Sequence, residues 1–143
     1  MSVPGNKLIS KIRFPARPYQ LKQVRFIVQN AMRNTKLTST EVDRTVLAVN
    51  EACMNIIQHG YKQDESGEII LEIFKNSDEV LFRLTDFAAP VDKCDIKGRE
   101  WEDIRPGGLG VHFICESMDD IKYLHLPDGA GNILEMTKKI SKT

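Results

Sequence analysis

Two stretches of eight residues, EIILEIFK (68–75) and EVLFRLTD (79–86), are dominated by Ile, Leu, Val and Phe, and only NSD separates them. Apolar runs of that length joined by a short polar link predict a β-hairpin. A hairpin this apolar needs a sheet around it and a second layer over the sheet. The rest of the chain supplies both. KLISKIRF (7–14) reads as a first strand, and 120–126 and 132–140, joined by PDGAGN, read as the last two. Pro18 suits a first helical turn, and Leu21, Val24, Ile27, Val28 and Met32 then recur at helical spacing as far as about Thr35. TSTEV predicts a second helix start, with Ser39 or Thr40 as the cap, running to about His59 and stopping at Gly60 as a C-cap. GLGVHFICESM (108–118) reads as a third helix entered through glycines. The order β-α-α-β-β-loop-α-β-β predicts an α+β fold. It is a two-layer sandwich with a mixed, mostly antiparallel sheet and helices on one face.

The length of 143 residues suits one domain, taken as 1–143, and no repeat or linker divides it. Lys plus Arg equals Asp plus Glu at 20 each, so the net charge is zero. That balance argues against direct nucleic-acid binding and against an anionic membrane surface. No apolar run approaches the roughly 20 residues of a membrane span, and MSVPGNKLISK lacks the apolar core of a secretory signal. Cys53, Cys94 and Cys115 are odd in number and widely spaced, which fits neither a disulfide framework nor a zinc site. A cytoplasmic location is the expectation.

On the second helix, Val42, Val46, Val49, Cys53, Ile56 and Ile57 form one apolar stripe. Glu51 and Asn55, four apart in NEACMNIIQHGY, fall nearly opposite it, flanked by Leu47 and Met54. The plainer reading is a solvent-facing Glu and Asn at a spacing that arises often by chance. The sharper one is chemical: a carboxamide oxygen suits Mg2+, and a carboxylate one turn away can take a proton from a hydroxyl attacking a phosphate.

Two further stretches are informative. RPGGLGVHF places Gly107, Gly108 and Gly110 at a loop-to-helix junction, where backbone N–H groups and the helix N-terminus favour phosphate and Arg105 adds a charge. No GKS or GKT follows, so this is not a Walker A loop. LTDFAAP sets Asp86 at the end of an apolar strand, where a carboxylate can accept from an exocyclic amine such as that of adenine. A glycine turn and a turn aspartate are the plainer readings of each. Residues 87–107 carry no clear period, and a loop of that length is commonly functional.

Taken together, VNEACMNIIQHGY, LTDFAAPVD and GGLGVHFICESMDDIKY resemble the ATP-binding domain of the GHKL group (the Bergerat fold of gyrase, histidine kinases and MutL). They are most similar to its small anti-sigma-factor serine/threonine kinases, over about residues 8–140. The resemblance implies ATP and Mg2+ as cofactors. It implies Asn55 as the Mg2+ holder, Glu51 as the general base and Asp86 as the partner of the adenine amine. Residues 88–107 would form the ATP lid, with Arg105 a phosphate contact and Gly107, Gly108 and Gly110 shaping the lid. Ala88, Leu109 and Val111 fall within the same nucleotide-binding segments, with packing the expected part of Leu109 and Val111. His59 continues the Asn-bearing segment.

Three positions depart from the family's pattern. Ala88 stands where Gly is common, Pro106 where a further lid Gly is common, and Asn132 where Thr often follows a Gly. The function implied is phosphorylation of a STAS-domain anti-anti-sigma protein by a kinase that also sequesters a sigma factor or similar regulator. Relatives of this type are homodimers. The alternative is a nucleotide-dependent binding protein without useful phosphotransfer.

Overall fold

The computed structural model describes residues 6–89, 96–97, 108–126 and 130–140, with side chains at all of these except 96–97 and 108–110. In chain order they form β1 (Lys7–Pro15), α1 (Leu21–Ala31), α2 (Ser39–Asn55), β2 (Glu68–Lys75), β3 (Glu79–Asp86), β4 (Ile96–Lys97), α3 (Gly108–Ser117), β5 (Asp120–His125) and β6 (Asn132–Lys139). The strands lie in the order β1-β2-β3-β6-β5-β4, and every described ladder is antiparallel. The hairpin expected from 68–86 forms with Ile69 opposite Asp86 and Lys75 opposite Val80. The short β4, paired with Tyr123 and Lys122 of β5, falls inside the stretch expected to be loop.

One alternating set of strand residues packs with the three described helices. Ile69, Leu71 and Ile73 of β2 meet Phe82 and Leu84 of β3, together with Val24 and Val28 of α1, Val49 and Cys53 of α2, and Ile114 of α3. All of these are buried, and a fully buried Ile, Leu or Phe contributes about 1.5–3 kcal/mol. The helices therefore cover one face of the sheet, as the two-layer expectation requires. On the other face a charged row crosses three strands, because Glu72, Arg83 and Glu135 are in register. Arg83 Nε donates to Glu135 Oε2 at 2.8 Å, its guanidinium lies 3.6 Å from Glu72 Oε1, and it stacks 4.9 Å from the centre of the Phe74 ring. Two carboxylates and an aromatic face offset the burial of one cation.

The helix ends differ from expectation in instructive ways. α1 is preceded by a 3-10 turn at Pro18–Gln20 and stops at Ala31, before a left-handed residue at Asn34 (φ 63°). The cap of α2 is Thr38 rather than Ser39 or Thr40. The Glu41 N–H donates to Thr38 Oγ1 at 3.1 Å, and the Thr38 N–H donates to Glu41 Oε1 at 3.0 Å. Glu41 can close this reciprocal capping box only with the residue three before it. At its other end the α-helix stops at Asn55 and widens into a π-turn over Ile56–Gly60. The Tyr61 N–H reaches back five residues to the Ile56 carbonyl at 2.8 Å, and the left-handed residues are Lys62 (φ 52°) and Gln63 (φ 67°), not Gly60.

Thr38→Ala removes one acceptor from an N-terminal helix turn and should lower stability by about 1 kcal/mol. Urea unfolding should show a lower midpoint at an unchanged slope.

Candidate functional site

The two ends of the α2 polar pair have different surroundings. Asn55 is buried, at 5% exposure, while Glu51, one turn earlier, is half-buried. Asn55 therefore lies against the interior and not on the outer face of the helix. Its Nδ2 is buried without a hydrogen-bond partner, a state that costs about 1–3 kcal/mol. An amide end of that kind suits a ligand group. Turned end for end, the same amide presents its oxygen there, and a carboxamide oxygen is a donor that Mg2+ accepts. Among the described residues no three His, Cys, Asp or Glu side chains gather as a metal cluster.

The π-turn after Asn55 is what carries the chain to the exit of β3. An ideal Cβ on Gly60 would lie 3.5 Å from the Ala88 Cβ, an ordinary contact, so the end of the π-turn and Ala88 are neighbours. Tyr61 fastens the same junction. Its hydroxyl donates to the Glu68 carbonyl at 2.7 Å and accepts from the Phe87 N–H at 2.7 Å. Burial raises the Tyr61 hydroxyl above the ordinary tyrosine range, and the charge of Asp86 acts in the same direction. The ring reaches this place by crossing Gly67, where a Cβ would stand 2.5 Å from Tyr61 Cε1.

Asp86 ends β3 at 4% exposure. Its Oδ1 accepts from the Ala88 N–H at 3.0 Å and from Asn132 Nδ2 at 3.0 Å. A buried acceptor with its orientation fixed by two donors can recognise an amine. Asn132 sits directly across the ladder as the first residue of β6, and is 2% exposed. In the sequence Asn132 stands out only as a departure from the family's pattern. Nothing in a linear stretch shows that residue 132 faces residue 86; the strand register does.

The third component is α3. Gly108, Leu109 and Gly110 form its first turn, while Arg105, Pro106 and Gly107 lie outside the described residues, as do the lid residues 90–95 and 98–107 generally. Val111 is fully buried in the core, consistent with a packing part. Phe113 packs against the core, with the Arg44 guanidinium of α2 5.2 Å from its ring centre. His112 meets Glu116 at 3.1 Å on the exposed side, and His59 lies half-buried in the π-turn. Cys53 is no nucleophile: complete burial pushes its thiol up to about 12.

The structure thus brings the end of the π-turn that follows Asn55 to the cradle of Asp86, Ala88 and Asn132. A family model for the histidine kinase-like ATPase domain matches residues 14–138. The chain is 29% identical over 141 residues to the serine-protein kinase RsbW of Bacillus cereus (strain AH187), covering 92% of this chain and 85% of that protein. It is 28% identical, with the same coverage, to proteins of the same name from Bacillus cereus (strain G9842) and Bacillus anthracis. With the match spanning the three described helices and five of the six described strands in full or nearly so, this chain belongs to the histidine kinase-like ATPase domain family.

Proposed function

We propose that the protein is an ATP-dependent serine/threonine kinase of the anti-sigma type. The observation that carries this reading is a buried, doubly held carboxylate at Asp86 in a chain that also holds a buried amide at Asn55 whose Nδ2 has no partner. It stands in a chain similar over most of its length to serine-protein kinases. Asp86 receives the exocyclic amine of adenine and so fixes the base. Asn55 would hold Mg2+ through its amide oxygen, and that ion would supply charge stabilisation at the phosphates. Glu51 is half-buried one turn before Asn55, close enough along the helix to act at the same phosphates.

Glu51 accepts the proton of a partner serine hydroxyl as that oxygen bonds to the terminal phosphorus. The bond from phosphorus to the bridging oxygen breaks, and ADP leaves. Such transfer is mainly positioning and charge stabilisation, which a small domain can provide. The lid about 88–107, with Arg105 and Gly107, Gly108 and Gly110, would close over the phosphates. The substrate class proposed is a STAS-domain anti-anti-sigma protein, with a sigma factor or similar regulator as a second partner and a homodimer as the working form. A cytoplasmic setting is proposed with it. Among the described residues no helix is long and apolar enough to cross a membrane.

The second reading is a nucleotide-dependent binding protein without useful phosphotransfer, kept by Ala88 and Asn132 as departures from the family's pattern. An assay of phosphate transfer separates the two.

Saturating MgATP at about 100 times its Kd should stabilise the wild type by about 2.7 kcal/mol. That corresponds to a rise in Tm of roughly 5–10 °C for a domain of this size, and Asn55→Ala should lose most of it. Equal shifts in both proteins would remove Asn55 from the site. Glu51→Ala should keep the MgATP shift and lose about a hundredfold or more in transfer to a STAS-domain serine. Undiminished transfer by that variant would dismiss Glu51 as the base.

A further inference from the structure

Asn132 raises a question that Asp86 alone does not. Its carboxamide is 2% exposed, and its two ends are treated differently. Nδ2 donates to Asp86 Oδ1 at 3.0 Å and lies 3.4 Å from the Ala89 carbonyl and 3.5 Å from that of Ala88. Oδ1 is buried without a hydrogen-bond partner.

The amide cannot relieve this by turning over. A turned amide would set Oδ1 against the Asp86 carboxylate and two backbone carbonyls, all of them acceptors, and leave Nδ2 where the oxygen had been. Nor can the backbone retreat. At the preceding residue, Gly131, an added Cβ would stand 2.1 Å from the Asp86 carbonyl oxygen and 3.0 Å from Phe87 Cα, so the two chains are already in close approach. The ladder pairs Asn132 with Asp86 on one side and with His125 on the other. A fixed acceptor therefore stands one amide width from the Asp86 carboxylate. A buried acceptor of this kind is matched by an N–H donor.

We infer that Asn132 is a base-reading residue: its Oδ1 accepts one hydrogen of the exocyclic amine of adenine while the Asp86 carboxylate accepts the other. The inference rests on the nucleotide reading above and deepens it. Two acceptors side by side take both N–H bonds of a primary amine, whereas a lone carboxylate needs only one. The pair should therefore distinguish a primary amine from a secondary one, and it rejects a carbonyl at the same ring position. Asn132 is then a determinant of specificity within the base pocket and takes no part in phosphate transfer.

Calorimetric titration of the whole chain with MgADP and with the Mg2+ complex of N6-methyl-ADP tests this. The wild type should bind N6-methyl-ADP roughly tenfold or more weakly, because one acceptor loses its partner. In Asn132→Ala, ADP should weaken and N6-methyl-ADP should not, bringing the two within about twofold. Asn132→Ser serves the same purpose if the alanine variant does not fold, and melting without nucleotide establishes which variants fold. Equal affinities in the wild type would overturn the inference, since that comparison needs no variant. Discrimination that persists in a folded Asn132 variant would also overturn it, leaving Asp86 as the reader. If the wild type binds neither nucleotide, the nucleotide reading itself fails and this inference goes with it.

Discussion

A side chain at position 131 would stand 2.1 Å from the Asp86 carbonyl oxygen, so β3 and β6 approach here as closely as two backbones can. The site is organised around this contact. It sets Asn132 directly across the ladder from Asp86 and lets an amide and a carboxylate meet at 3.0 Å within the protein interior. Glycine is required because of space, since any Cβ would force the ends of two central strands apart. The carboxylate's direction follows from the same geometry. The Ala88 N–H turns back to it at 3.0 Å, and the Phe87 N–H between them is held by the Tyr61 hydroxyl.

The other half of the site depends on how a helix ends. A regular α-helix through His59 would continue the axis of α2. The π-turn at Ile56–Gly60 instead widens the last turn, and Tyr61 and Gln63 bond back to Ile56 and Ile57 at 2.8 Å each. Gly60 is thereby brought beside Ala88. Insertions of this kind occur disproportionately at functional sites, and here the widened turn begins directly after Asn55. The buried amide of Asn55 and the buried carbonyl oxygen of Asn132 are polar groups that the described protein leaves without partners. Each is a local loss of stability of about 1–3 kcal/mol that a suitable ligand recovers.

Much of the architecture was legible in the sequence because it is written in local periodicity. The hairpin of 68–86, the apolar stripe of α1 and the third helix after the glycines each follow from residues close together in the chain. Glu51, Asn55 and Asp86 were legible as chemistry, through residue type, spacing and resemblance. What could not be read depends on distant residues. Asp86 and Asn132 are joined by a strand register that no short window contains. Tyr61 reaches Phe87 only because Gly67 leaves room for its ring. The π-turn replaces a glycine cap because Lys62 and Gln63 take the left-handed conformations, a choice that tertiary contacts make against the usual preference of those residues. The cap at Thr38 lies one residue before Ser39 and two before Thr40, and the reciprocal bond with Glu41 decides it.

In the proposed function Asp86 receives the exocyclic amine of an adenine nucleotide. The most direct measurement compares MgADP with MgGDP by calorimetry, because guanine places a carbonyl oxygen where adenine places its amine. ADP should bind, and GDP at least about a hundredfold more weakly, since a buried carboxylate opposite a carbonyl oxygen sets two acceptors against each other. Equal affinity for the two, or no measurable binding of ADP, would contradict it.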